Sequence, residues 1–227
     1  MNDPVRYHYV VQSIKEKAVA CGRRSQEILL IAVSKTASVE SIQSIYQAGC
    51  REFGESRVQE ALEKIPCLPH DCQWHLVGSL QSNKVGKAIS AFHLIHSVNT
   101  PLLAQKISQA SQTQGITTSI LLQVNTSGEK SKQGLSAEEW QHSLEAINQL
   151  SHLKIEGLMT MAPYTEDQRV IRSCFRQLYQ LREAWRGQMK DPLLFQHLSM
   201  GMSHDYLIAI EEGATLLRIG TAIFGDR

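Results

Sequence analysis

The sequence predicts an α/β fold, a single (β/α)8 barrel of TIM type over residues 1–227 with an extra helix at its N-terminus. Three observations predict it. Eight short apolar runs recur at fairly even spacing, and several are apolar on both faces, as strands of a parallel sheet buried on both sides must be. Helical apolar stripes separate the runs. Polar residues gather at the C-terminal ends of runs from both halves of the chain, and closing a barrel brings those ends together. An open doubly wound sheet is the rival, but no Gly-x-Gly-x-x-Gly follows the first run.

In chain order, Val5–Ala20 forms the extra helix and Ile28–Val33 the first strand. Ser38 caps a helix bearing Val39, Ile42 and Ile45, and Gly49 ends it. Glu52–Gly54 is the weakest strand, so a seven-unit reading stands beside the eight-unit one. Val58, Ala61, Leu62 and Ile65 fall at i, i+3, i+4 and i+7, and Pro66 stops that helix. Trp74–Val77 is the third strand, after which the segment from Leu80 to Lys84 opens a helix. Leu94–Val98 is followed by Thr100-Pro101, an N-cap and a proline at the first helical position. Ile120–Val124 precedes Ser136 and Glu139, which have capping-box spacing. Ile155–Met159 leads to a long stripe of Ile171, Cys174, Phe175, Leu178, Leu181 and Trp185. His197–Ser199 is the seventh strand; Ser203 caps a short helix ending near Gly213, and Leu216–Ile219 is the eighth strand.

Composition narrows the function. Basic and acidic residues number 23 and 22, a net charge of +1, so no global field is available to hold a nucleic acid or a membrane surface. Five cysteines without Cys-x-x-Cys argue against a disulfide framework and fit a reducing compartment. The longest clean apolar run, Ile28–Val33, falls far short of the ~20 residues that span a bilayer. The first twenty residues show no signal-peptide pattern, so the expected setting is the cytoplasm. Nine histidines show no tight metal spacing, and Cys67 and Cys72 read as free thiols.

The chemistry concentrates at strand ends. Lys35 directly follows the first strand, where apolar walls would disfavour an ammonium and leave an amine able to attack an aldehyde. Arg218 lies inside the last apolar strand and needs a partner. Gly220-Thr221 then offers backbone N–H groups, a hydroxyl and a helix start, which suit a phosphate. Ser199-Met200-Gly201, after the preceding strand, adds a second hydroxyl and glycine. A strand-end lysine, a phosphate cradle on the last two strands and a buried arginine fit pyridoxal 5′-phosphate (PLP). A cation at the pyridine nitrogen keeps that nitrogen unprotonated and weakens the ring as an electron sink. His75 and Asn125 stand near the expected mouth, with His75 read as a core histidine bonded to backbone. The segment from Gly128 to Gly134 reads as a solvated loop or a lid.

The chain resembles the YggS/PROSC family of PLP-binding (PLP homeostasis) proteins. The resemblance runs through Ala32-Val33-Ser34-Lys35-Thr36, from Phe53 to Glu60, and from Trp74 to Lys84. It continues through Gln123-Val124-Asn125, Gly157-Leu158-Met159, Leu198 to Ser203 and Arg218 to Gly225. It implies a barrel of the alanine-racemase N-terminal kind. PLP would be held as a Schiff base on Lys35, with its phosphate at Ser199, Gly220 and Thr221, the backbone of Met200 contributing and Arg218 at the ring nitrogen. The family usually reads Phe-Gly-Glu-Asn, whereas position 56 here is Ser, so Ser56 carries over as a shorter neighbour of the ring. The implied function is PLP homeostasis by transimination, with apo-PLP enzymes as recipients and a monomer as the expected state. A PLP-dependent amino-acid racemase is the alternative. It needs a second base; in the related racemases this is a tyrosine from a partner subunit carried on an additional β domain. The chain ends soon after the last strand, leaving no room for that domain, so enzyme activity is not expected. Tyr164 is the weak candidate for that base.

Overall fold

A computed structural model describes residues 2–129 and 133–225. The chain alternates β1 (Leu29–Val33), α2 (Val39–Gln47), β2 (Glu52–Glu55), α3 (Val58–Lys64), β3 (Gln73–Leu76), α4 (Val85–Ala91), β4 (Leu94–Val98) and α5 (Pro101–Gln114). It goes on through β5 (Thr118–Gln123), α6 (Ala137–Asn148), β6 (Leu153–Met159), α7 (Gln168–Arg186), β7 (His197–Ser199), α8 (Tyr206–Glu211), β8 (Leu216–Ile219) and α9 (Thr221–Phe224). The strands pair in parallel in sequence order, and β8 closes on β1 with Ile31 opposite Arg218. Closure needs the weakest strand. Glu52–Glu55 pairs with β1 on one side and β3 on the other, which settles eight units over seven.

Local chemistry sets these elements. Ser38 accepts the N–H of Ser41, and Thr100 accepts that of Leu103. Ser136 and Glu139 form the reciprocal capping box. Gly115 ends α5 in the left-handed region, where a Cβ would be strained. Strand ends shift by a residue or two from the sequence reading: Ile28 and Val77 lie just outside their strands. Ser203 does not cap α8. That helix has Asp205 at its N-cap position, and the Ser203 hydroxyl instead accepts the N–H of Ala222 in α9.

Two cores result. Between the helices and the outside of the barrel lie large buried side chains such as Trp140, Phe53, Phe175 and Phe195. Inside the barrel, Ile31, Leu94, Leu121, Met159 and Leu216 form a separate apolar cluster. The extra helix, α1 (Asp3–Ala20), packs against α2, α8 and α9. Arg6 donates to the carbonyl of Ile223 at 2.7 Å, and just past the helix Arg23 donates to those of Ile210 and Ala214 at 2.8 Å. The start of the chain thus ties down the last units of the barrel. No helix among the described residues is long and apolar enough to cross a membrane.

Candidate functional site

The C-terminal ends of the strands surround a cavity of about 450 Å³. Lys35, Ser56, Arg218, Gly220 and Thr221 all line it, so five of the seven residues singled out from sequence converge on one place. Val33, Val77, Met159 and Met161 supply its apolar wall. A larger hollow of about 590 Å³ lies between α6 and the segment after α7, lined by residues such as Gln141, Asn148 and Gln188. It is on the outer helical layer, away from the strand ends where barrels place their chemistry.

Lys35 is held by its neighbours. Ser34 donates its N–H to Gly54 at 2.8 Å and its hydroxyl to Glu55 Oε1 at 2.7 Å. Lys64 Nζ donates to the Ser34 carbonyl at 2.9 Å, to Glu55 at 2.8 Å and to Glu60 at 2.6 Å. Glu60 in turn accepts the N–H of Thr36 at 2.8 Å. Thr36 has φ +63°, an outlying conformation for a β-branched residue, and contacts of this kind are what sustain such strain. Burial raises the Glu55 carboxyl above its ordinary range, with Lys64 and Ser34 pulling it down. Lys35 itself is exposed at the mouth rather than enclosed by apolar walls.

Arg218 forms part of the floor. One guanidinium nitrogen donates to Ser199 Oγ and the other to the Thr160 carbonyl at 2.8 Å. Burial pushes its pKa down to about 10, and Asp205 pulls the other way, so it stays charged at neutral pH. Beside it, a Cβ on Gly220 would come within 3.3 Å of the Val33 carbonyl, and one on Gly78 would strike the Ser56 carbonyl at 2.2 Å. Both glycines let neighbouring strand ends close around the cavity.

The other two residues singled out from sequence lie elsewhere. Ser199 and Met200 do not line the cavity. The Ser199 hydroxyl is fully buried between Arg218 and His96, and the Met200 N–H is spent on the Leu216 carbonyl. Met202 and Ser203 reach the cavity instead, because Gly201 turns the chain with φ +97°. Loops after barrel strands, rather than the strands themselves, present ligand-facing groups, and that rule favours the second serine over the first. His204 also lines the cavity, and the ring of the exposed Tyr164 stands edge-on to it at 5.1 Å.

Other candidates resolve differently. His75 is buried but bonded to two side chains, Glu52 and His96, rather than to backbone. Asn125 shapes its own loop, accepting from Ser127 and donating to the Glu129 carbonyl. Of the loop from Gly128 to Gly134, Gln133 lines the cavity and is bonded to Ser79, while Lys130 to Lys132 lie outside the described residues.

The family description "Alanine racemase, N-terminal domain" matches residues 11–227. A pyridoxal phosphate homeostasis protein from Aquifex aeolicus is 39% identical, covering 100% of this chain and 99% of its own. The chain belongs to the pyridoxal phosphate homeostasis protein family. A second member, from Synechocystis, is 40% identical over 88% of this chain and 92% of its own. Among solved structures, PipY of Synechococcus elongatus with PLP bound is 36% identical, with a TM-score of 0.82 over 93% of this chain and 100% of that one. An alanine racemase from Clostridium difficile superposes with a TM-score of 0.72 at 13% identity, covering 96% of this chain but 56% of its own, and shows a shared fold only.

Proposed function

We propose that this chain is a PLP carrier of the homeostasis type, holding PLP in the strand-end cavity with Lys35 as covalent anchor and passing it to apo-PLP enzymes in the cytoplasm. One observation carries the reading: Lys35, Arg218, Gly220 and Thr221 converge on a single cavity in a chain 36% identical to a protein solved with PLP bound.

The donor set fits the group. The start of α9 at Gly220 and Thr221 supplies N–H groups that lack intrahelical acceptors, and the hydroxyls of Thr221 and Ser203 stand with them. These suit a phosphate, with Ser203 in the place that Ser199 was expected to fill. When bound, PLP supplies an aldehyde that condenses with amines and an electron-withdrawing ring. Lys35 offers the amine at the exposed mouth, where an incoming amine can displace it. Arg218 offers a donor and a positive charge that disfavour protonation of a nitrogen facing it. Ser56 leaves more room along one wall than an asparagine would.

A carrier also suits the titratable groups. Racemisation needs a second base opposite the first, yet among the described residues the titratable lining groups besides Lys35 are His204 and Arg218, and His204 stands 3.2 Å from Asp205. The deciding experiment reduces the PLP-mixed protein with borohydride and maps the added mass. An adduct on Lys35 alone is expected; none, or one spread over several lysines, overturns the proposal. Chiral analysis of L- and D-alanine after incubation tests the enzyme alternative: turnover abolished by Lys35→Ala would replace the carrier with a racemase.

A further inference from the structure

The interior of a barrel like this is ordinarily packed with apolar side chains. Here a line of polar groups crosses it beneath the cavity. Glu52, at the N-terminal end of β2, meets His75 Nε2 of β3 at 2.8 Å. His75 Nδ1 meets His96 Nε2 of β4 at 3.0 Å, and His96 Nδ1 meets Ser199 Oγ of β7 at 2.7 Å. Ser199 Oγ then receives a guanidinium N–H from Arg218 of β8. Both imidazoles are almost fully buried. Such groups are costly unless each bond is made, and here each is.

The two ends fix the direction of every bond. Arg218 can only donate, so Ser199 accepts from it and has its own proton to give. Ser199 gives that proton to His96 Nδ1, which places the His96 proton on Nε2. His96 then donates to His75 Nδ1, which places the His75 proton on Nε2, facing the Glu52 carboxylate. The opposite order would set a bare nitrogen lone pair of His75 against that carboxylate. Neutral imidazoles are consistent with burial. Desolvation lowers the pKa of His75, against the pull of Glu52, and sends that of His96 well below its usual value, with His75 and Arg218 adding repulsion. His93 and His197 stand in the same region and Glu156 acts on His75 and His197 with the opposite sign.

We propose that Glu52, His75, His96 and Ser199 are positioning residues that transmit the pull of a carboxylate at the base of the barrel to Arg218, fixing its guanidinium as an oriented donor at the cavity floor. The inference rests on the PLP reading only for what Arg218 meets in the cavity. None of the four touches the cavity itself, so their effect on a ligand must pass through Arg218.

The experiment has two readouts on the full-length protein. First, ¹⁵N spectra of the unloaded protein report imidazole tautomers at neutral pH. His75 and His96 are expected neutral, each with its proton on Nε2. Glu52→Ala should mix the tautomers of both, whereas Glu52→Gln, whose amide oxygen still accepts from His75, should restore the single form. His75→Gln interrupts the line one link nearer Arg218 and gives the same reading at His96 should Glu52→Ala fail to fold. A His96 proton on Nδ1, a charged imidazole, or tautomers indifferent to Glu52→Ala and His75→Gln would overturn the proposal. Second, the visible absorption band of the PLP-loaded protein should shift in Glu52→Ala and return in Glu52→Gln. An unshifted band in Glu52→Ala overturns the relay and leaves the carrier reading standing. A wild-type protein that binds no PLP removes the carrier reading, while the tautomers still decide whether the line is built as described.

Discussion

Lys64 Nζ donates to the backbone carbonyl of Ser34 at 2.9 Å, so the cation that neutralises Glu55 also grips the residue before Lys35. Glu60, bonded to the same ammonium, grips the residue after it through the Thr36 N–H. One buried ion cluster therefore sets the backbone on both sides of the proposed anchor. Lys64→Met removes the cation and leaves the fully buried Glu55 carboxylate without its partner. We expect a loss of about 3 kcal/mol in unfolding free energy, read by urea denaturation at pH 7. Reductive labelling of Lys35 by PLP should fall with it, even under conditions where the variant is fully folded. Unchanged stability would mean that Glu55 is protonated at pH 7 and needs no cation.

The two serines after β7 should separate cleanly. Ser203→Ala and Thr221→Ala are expected to weaken PLP binding about ten-fold or more, the scale of a hydrogen bond to a charged group, while leaving pyridoxal binding nearly unchanged. Ser199→Ala should leave the PLP-to-pyridoxal affinity ratio at its wild-type value, because its hydroxyl lies below the cavity with His96 and Arg218. Titrations of each variant with both vitamers check this. A collapsed ratio in Ser199→Ala would return that residue to the phosphate.

The contrast shows what the amino-acid order reveals. Lys35, Arg218, Gly220 and Thr221 were legible because each follows or interrupts an apolar run, and a closed parallel barrel gathers such positions at one rim. The place of Ser199 below the rim was not legible because His197–Ser199 is only three residues long. A strand that short has no alternation to tell an inward position from one beyond the rim. The turn at Gly201 that lifts Ser203 into the cavity depends on backbone geometry that a run of small residues only hints at. His96 escaped notice inside the run from Leu94 to Val98, every position of which is buried. The clue was available: a histidine set between Leu94-Ile95 and Val98 in a short, largely apolar run must find a buried partner. Nothing local to Glu52, His75 or Ser199 says that closure will set them in line.

Acidification should reveal the buried histidines. His75, His96 and His197 all have pKa values depressed mainly by desolvation, so the folded chain keeps them neutral where the unfolded chain takes up protons. Their contribution is therefore fully present above the unfolded value of about 6.5 and is lost as pH falls from there through the folded values. Each such group lowers the unfolding free energy by up to about 1.4 kcal/mol per pH unit within that window. Urea denaturation at pH 7, 6 and 5 should show this fall, and His96→Asn should make it shallower by one proton. A flat profile between pH 7 and 5 would mean that these imidazoles charge freely in the folded state.

Barrel closure on the far side from Lys35 depends on one missing methyl group. Gly157 in β6 faces His197 in β7, and a Cβ at position 157 would lie 2.0 Å from the His197 carbonyl oxygen. The obstacle is backbone in a paired strand, which cannot swing aside as a side chain can. The register with β5 shifts at the same place: Ile120 pairs with Ile155 but Leu121 with Gly157, so β6 carries Glu156 as an extra residue beside the glycine. Gly157→Ala is expected to cost about 3 kcal/mol, at the upper end of overpacking penalties, because β6 and β7 must part. The lost pairing carries β7 and its following loop with it, so PLP affinity should fall more than pyridoxal affinity as Ser203 moves away. Thermal unfolding and paired titrations together test this. A variant of wild-type stability would show that the two strands can separate by more than an ångström without penalty.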